Sequence, residues 1–332
     1  MQAIIGERFI KNQFGRDINA KHPITLRTPL MEAVLYRNRP ALYFLLVLLP
    51  SKRDGGHVPG IDERDRSGLT ALHYAVKFGA VGIVKLLLKR NATYNVADML
   101  GMTPLHWACR APISCEILQV LIECGSNLEA RDHKEKTPLH IAVTNHWCFN
   151  GLQAVEMLIQ HKANLGALDN NQNTPLVARF FGPDHLDNTA IVMLLINNMT
   201  STELDYRNPR HGNTALHYAI LPRTEFIGNR YEITTALLQN NVNPDIQDDD
   251  GKTPLHLASF DDQKDYILLL MKYGANKKLA DQFGFFPYEH YTVEAEDDVI
   301  GTGHEVYNQQ NRYFRNLLFF ETDGVNEQPF LA

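Results

Sequence analysis

The stretch Gly101-Met102-Thr103-Pro104-Leu105-His106-Trp107-Ala108 is a helix start whose variants run almost the whole length of the chain. Thr103 suits the N-cap, where its hydroxyl accepts a free backbone N–H, and Pro104 suits the first helical position, where no N–H is needed. Its relatives are Thr28-Pro29-Leu30-Met31, Thr70-Ala71-Leu72-His73, Thr137-Pro138-Leu139-His140, Thr174-Pro175-Leu176-Val177, Thr214-Ala215-Leu216-His217 and Thr253-Pro254-Leu255-His256. Phe286-Pro287-Tyr288 is a degraded eighth. Successive Thr positions lie 42, 33, 34, 37, 40 and 39 residues apart, and Phe286 follows Thr253 by 33. Such a period signals a repeat architecture, in which each unit buries its apolar face against its neighbours.

Within a unit the order is turn, helix, turn, helix. In Asp65-Arg66-Ser67-Gly68-Leu69-Thr70 the Asp and Gly frame a tight turn, because Gly supplies positive φ and Asp bonds its own backbone. A first helix then stops near Gly79, and a second, Val81 to Leu88, is apolar enough to be sandwiched between neighbours. Unit three repeats this with Ser114 as N-cap, Ile117, Leu118, Val120, Leu121 and Ile122 as core, and Gly125 as stop. Insertions fall in loops: Ser51 to Gly60, Asn145 to Gly151, Gly182 to Asn188 and Leu221 to Gly228. Unit five carries Val177 where units two, three, four, six and seven have His and ends in the uneven run Met199 to His211, so the stack is expected to be least regular there.

The pattern Asp-x-x-Gly-x-Thr-Pro-Leu-His-x-Ala, followed by a Leu-rich helix and Gly, resembles the ankyrin repeat over residues 23–290. That resemblance implies an all-α solenoid of stacked helix-turn-helix units, with projecting β-hairpin turns that form a concave binding face. The expected organisation is an N-terminal cap at 1–22, one elongated repeat domain at 23–290, a linker at 291–303, and a capping helix and tail at 304–332. In the last segment Val306, Tyr307, Tyr313, Phe314, Leu317 and Leu318 share a helical stripe with Gln310. Two readings stand for it, a cap on the final repeat and a detachable partner-binding helix.

Composition narrows the function. At 44% apolar and 21% charged residues, the chain has neither a disordered nor a fibrous composition. A net charge of −6 and a pI near 6.2 argue against a nucleic-acid binder that works through overall positive charge. The four cysteines lack the spacing of a secreted disulfide framework, which implies reduced thiols in the cytoplasm or nucleus. The sequence does not disclose its origin, so delivery into a host cell stays open. Met1 to Phe14 offers no uninterrupted signal-peptide core. Ala41 to Leu49, between two prolines, is far shorter than the roughly 20 residues a membrane helix needs, so no membrane insertion is expected.

Residues with catalytic or ligating chemistry fall into architectural places. His73, His106, His140, His217 and His256 all follow their unit's Thr by three residues, a fixed place that points to the fold rather than to catalysis. His106, Cys109, Cys115, His146 and Cys148 lack the close ligand pairs of zinc sites, so neither a metal nor a cofactor is expected. No phosphate-binding loop or nucleophile elbow occurs in the sequence. Asp184, His185 and Asp187 could only build an enzyme site from a loop without a fixed orienting group. Asn95, three residues before Asp98, fits the hydroxylation pattern of ankyrin-like hairpins; an ordinary turn Asn is the competing reading.

Function is therefore expected at positions that break the repeat. The resemblance assigns the binding surface to the two tip residues between Asp and Gly, the residue before Thr, and the two closing the first helix. These positions, with Trp107 after the repeated His, select Arg66, Lys77, Phe78, Met99, Leu100, Met102, Trp107, Arg110 and Lys134. Met99, Leu100 and Met102 depart most from the polar residues usual at a tip. Flanked by cations, they suit a protein partner that sets an apolar anchor among acidic residues. Packing against an adjacent hairpin is the alternative for them, and core packing for Trp107. The expected role is a non-enzymatic interaction module or scaffold, with an adaptor or substrate receptor in a larger assembly as the alternative.

Overall fold

Each helix-start sequence does start a helix. Thr28, Thr70, Thr137, Thr174 and Thr253 sit in extended backbone, and their hydroxyls accept the N–H three residues on. The computed structural model describes residues 8, 11, 19–48, 60–110, 115–145, 151–181, 189–221, 229–261 and 263–289. Ser114, the body of each loop insertion, nearly all of the N-terminal cap, the linker and the C-terminal helix lie outside them.

The chain divides into two compact units, residues 1–186 and 187–332. In the first, the inner helices are α1 (Pro29–Leu35), α3 (Ala71–Lys77), α5 (Pro104–Arg110), α7 (Pro138–Thr144) and α9 (Pro175–Phe180). The outer ones are α2 (Arg39–Tyr43), α4 (Val81–Lys89), α6 (Cys115–Glu123) and α8 (Gly151–Gln160). Every inner helix packs on the next, α4, α6 and α8 do likewise, and α1, α3, α5 and α7 each pack on the outer helix of their own repeat. The second unit holds α10 (Thr189–Asn198), α11 (Ser201–Leu204), α12 (Ala215–Ile220), α13 (Arg230–Gln239), α14 (Pro254–Phe260) and α15 (Lys264–Lys272). There α12 packs on α14, and α13 lies between α10 and α15.

Inner helices are buried nearly all round, and in α3 every residue from Ala71 to Val76 is buried. Outer helices bury a face: Ile117, Leu118, Leu121 and Ile122 in α6 recur at helical spacing. Each fully buried Leu or Ile contributes about 1.5–3 kcal/mol relative to exposure. Two local departures stand out. The apolar run after Pro40 is an α-turn that continues as a π-helix over Phe44–Leu48. The uneven run after Met199 contains α11, closed by a capping box between Thr200 and Glu203.

The repeated His joins neighbouring repeats. His73 Nδ1 accepts the Thr70 N–H at 3.1 Å, and Nε2 reaches the Met102 carbonyl of the next repeat at 3.2 Å. With Nδ1 accepting, the ring proton sits on Nε2 and is donated to that carbonyl. His106 meets Lys136 O, His140 meets Asn173 O, His217 meets Lys252 O, and His256 meets Phe285 O in the same way. Val177 has no polar atom for this bond.

The expected β-hairpins are compact turns, and no strand occurs among the described residues. The Asp98 N–H bonds Met102 O at 2.9 Å, and Asp98 Oδ1 accepts the N–H groups of Leu100 and Met102. At Gly101, φ is +78°, and a Cβ there would lie 2.7 Å from the His133 nitrogen, so the next hairpin closes against a bare backbone.

Candidate functional site

The hairpin of repeat three has a fixed backbone and free side chains. The Met99 N–H donates to Ser67 O at 3.0 Å on one side, and the His133 N–H donates to Leu100 O at 2.9 Å on the other. Met99 is 65% exposed and Leu100 56%. Met102, expected beside them on the surface, is 4% exposed. Its N–H is held by Asp98 and its carbonyl takes both the Asp98 N–H and the His73 ring, which draws it into the neck of the turn. Leu69 and Asn173, at the same place in their repeats, are buried too, so the position before Thr is not a surface position in these repeats.

Around this tip lies a band of cations and aromatic rings. Trp107, half-buried, donates its indole N–H to Asp98 Oδ2 at 2.9 Å, using the carboxylate oxygen that the turn leaves over. Lys77 Nζ and the Arg110 guanidinium stand 5.2 and 5.5 Å from its ring centroid, within cation–π range. Lys77 also lies 5.9 Å from the ring of Phe78, which stacks on Tyr74. Arg110 Nη1 approaches the Met102 sulfur at 3.8 Å. Trp107 thus braces the turn through its indole N–H and places its ring between two cations.

Tyr74 repeats the Trp107 arrangement one unit earlier. Its hydroxyl donates to Asp65 Oδ2 at 2.7 Å and accepts from Arg27 Nε at 2.9 Å. Burial, reinforced by Asp65, pushes the phenol up to about 12. The sequence signal for this pairing was available, since an aromatic residue nine positions after the hairpin Asp follows the repeated His in both units.

Arg66, Arg110 and Lys134 are exposed, as is Lys77. Together with the half-buried Lys136, they make no ion pair among the described residues. Between the hairpins of repeats three and four lies an open concavity of about 440 Å³, lined in part by Leu100, Met102, Arg110, Lys134, Lys136 and Ile141. Ile141, which follows the repeated His140 as Trp107 follows His106, belongs to this lining too.

Asn95 is exposed, and its Oδ1 accepts the Asn127 N–H at 3.0 Å. Asp62, Glu129, Asp205 and Asp245 make the same contact to the following repeat, so this oxygen is a regular part of the scaffold. Among the described residues no three His, Cys, Asp or Glu side chains come together as a metal site, and no helix is long and apolar enough to cross a membrane. His146, Cys148, Asp184, His185 and Asp187 lie outside the described residues.

Comparison with known proteins agrees with this architecture. A family model described as "Ankyrin repeats (3 copies)" matches residues 1–98, 30–132, 105–179, 186–281 and 223–299. Inversin of Canis lupus familiaris is 30% identical over 224 residues, covering 65% of this chain and 18% of inversin. Neurogenic locus notch homolog protein 1 of Homo sapiens is 29% identical over 198 residues, covering 59% of this chain and 6% of that protein. The chain thus spans less than a fifth of the length of these relatives. Among solved structures, the ankyrin repeat domain of Bcl-3 is 24% identical, with 80% of this chain and 93% of that one covered and a TM-score of 0.45.

Proposed function

Because the chain belongs to the ankyrin-repeat family, whose repeats serve as protein-interaction modules, we propose that it is a non-enzymatic binding protein holding a partner on the hairpin tips and inner-helix ends of repeats two to four. The observation that carries this reading is the pair Met99 and Leu100, large apolar side chains left exposed on a tip whose backbone is bonded on both sides. Such a tip needs little ordering when a partner covers it, which favours affinity. Covering each side chain would add about 1.5–3 kcal/mol before other costs. Arg66, Lys77, Arg110 and Lys134, without an ion pair among the described residues, favour an acidic surface around the partner's apolar anchor. Among the described residues Cys109, Cys115 and Cys124 form no disulfide, which suits a reducing compartment, the cytoplasm or nucleus.

The test is the variant Met99→Ser, Leu100→Ser, Arg110→Glu, compared with the parent by circular dichroism and by affinity purification with mass spectrometry from the native cell. An unchanged spectrum with selective loss of a small set of proteins is the expected result. Unchanged recovery of every partner would remove this surface from consideration.

A further inference from the structure

The concavity between the hairpins of repeats three and four has a composition that the tip alone lacks. Leu100, Met102 and Ile141 give it apolar walls, while Arg110, Lys134 and Lys136 bring three cations to its edge. None of the three is ion-paired among the described residues. Asp132 also lines it, but its Oδ1 is occupied by the backbone N–H groups of Lys134 and Lys136, both at 2.8 Å. That oxygen therefore holds the turn, and neither lysine side chain pairs with the carboxylate. The hairpin backbones on either side are joined by the bond from His133 N–H to Leu100 O, so the space is a built feature of two adjoining turns.

We infer that this concavity is a subsite for an acidic peptide segment. One large apolar side chain enters between Leu100, Met102 and Ile141, and carboxylates within two residues of it meet Arg110, Lys134 and Lys136. The inference rests on the binding function proposed above and names the partner's chemistry at one place on that surface. Charge decides the acidic class: three cations at the edge outnumber the one carboxylate, Asp132. The apolar walls decide against a polyanion as the occupant, since a phosphate backbone gains nothing from Met102 or Ile141 and a net charge of −6 repels it elsewhere.

The experiment uses the full chain and a fluorescein-labelled peptide carrying one leucine with two glutamates on either side, read by fluorescence anisotropy. Control peptides replace the leucine by serine or the glutamates by glutamine. The protein variants are Lys134→Glu/Lys136→Glu, which alters the concavity, and Met99→Ser, which alters the tip and leaves the walls of the concavity in place. Circular dichroism checks that both fold, as these side chains are exposed or half-exposed.

Saturable binding that weakens at least about tenfold with either control peptide and with Lys134→Glu/Lys136→Glu is the expected outcome, in keeping with loss of a close charge pair or an apolar anchor. Binding unaffected by Lys134→Glu/Lys136→Glu, or equal for the glutamate and glutamine peptides, overturns the subsite. So does efficient competition by a single-stranded oligonucleotide. Should the parent protein fail to bind the peptide while the tip variant still loses its cellular partners, the subsite falls and the binding function stands. If partner recovery is also unchanged, both fall.

Discussion

In the hairpin of repeat three the Asp98 N–H meets the Met102 carbonyl at 2.9 Å and the Gly101 N–H meets Asp98 O at 3.0 Å; in that of repeat seven Asp248 meets Lys252 and Gly251 meets Asp248 at the same distances. The Asp Oδ1 accepts two turn N–H groups in both, and the glycines share a φ of 78° and 74°. Yet one tip carries Met99 and Leu100 and the other Asp249 and Asp250. The acidic tip is paired, Asp249 with Arg207 beside the preceding hairpin at 2.6 Å and Asp250 approaching Lys252 of its own turn at 3.7 Å. The apolar tip is exposed, and the cations beside it make no ion pair among the described residues. The scaffold residues thus set the turn, while the tip residues are free to be chosen for something else.

If that division is right, disturbing the scaffold should damage both hairpins alike. The broadest disturbance is acid. Burial pushes His73 and His217 down to about 4, against an ordinary value of 6.5, and lowers His106 and His140 as well. At His73 the Met102 carbonyl and the charges of Asp98 and Asp65 push back, while Arg64 lowers the value further; at His217 Arg207 and His256 add to the lowering. A folded value below the unfolded one means that protonation favours the unfolded chain. Stability is therefore full above about pH 6.5 and falls as the pH drops towards 4, by about 3 kcal/mol for each of His73 and His217 at the lower end. Urea midpoints at pH 7, 5.5 and 4.5 measure the slope. A midpoint flat across that range would show that the imidazoles are not the neutral braces described here.

Next in size is removal of one brace at a time. His73→Ala leaves the Thr70 N–H without its partner and takes one of two donors from the Met102 carbonyl, and His217→Ala does the same to Thr214 and Lys252. Each should cost about 2–4 kcal/mol from unsatisfied polar groups and the cavity left behind. Chemical denaturation of the two variants compares the hairpins directly. A cost below about 1 kcal/mol at one site and not at the other would break their equivalence.

Those braces were legible in the sequence because they repeat: a Thr followed by His at one spacing in five units can hardly be anything but architecture. The burial of Met102 was not legible. Read as a letter it is one more apolar residue at an exposed turn, and only the bonds from Asp98 and His73 to its backbone place it in the neck. The concavity was legible only in pieces: Leu100, Met102, Arg110 and Lys134 were picked out one by one, but that they share one space with Ile141 follows only from two turns lying side by side. The exposed tip could be picked out from sequence because Met99 and Leu100 stand where the other repeats carry polar residues such as Asp249 and Asp250.

The smallest expected effect on stability is the most telling. Met99→Asp/Leu100→Asp in repeat three should change the unfolding free energy by no more than about 0.5 kcal/mol, as surface substitutions usually do. The converse, Asp249→Met/Asp250→Leu, removes the Arg207 and Lys252 pairs, whose side chains are partly exposed, and such surface pairs contribute about 0–1 kcal/mol each. Denaturation curves and partner recovery are read together. With stability unchanged and recovery lost only for the repeat-three variant, Met99 and Leu100 serve recognition. A loss above about 1.5 kcal/mol in repeat three would instead make them packing residues, because an exposed side chain with no role in the fold cannot cost that much to replace. The proposed surface would then have to move from the tip to the cations and rings behind it, where Lys77, Trp107 and Arg110 remain together.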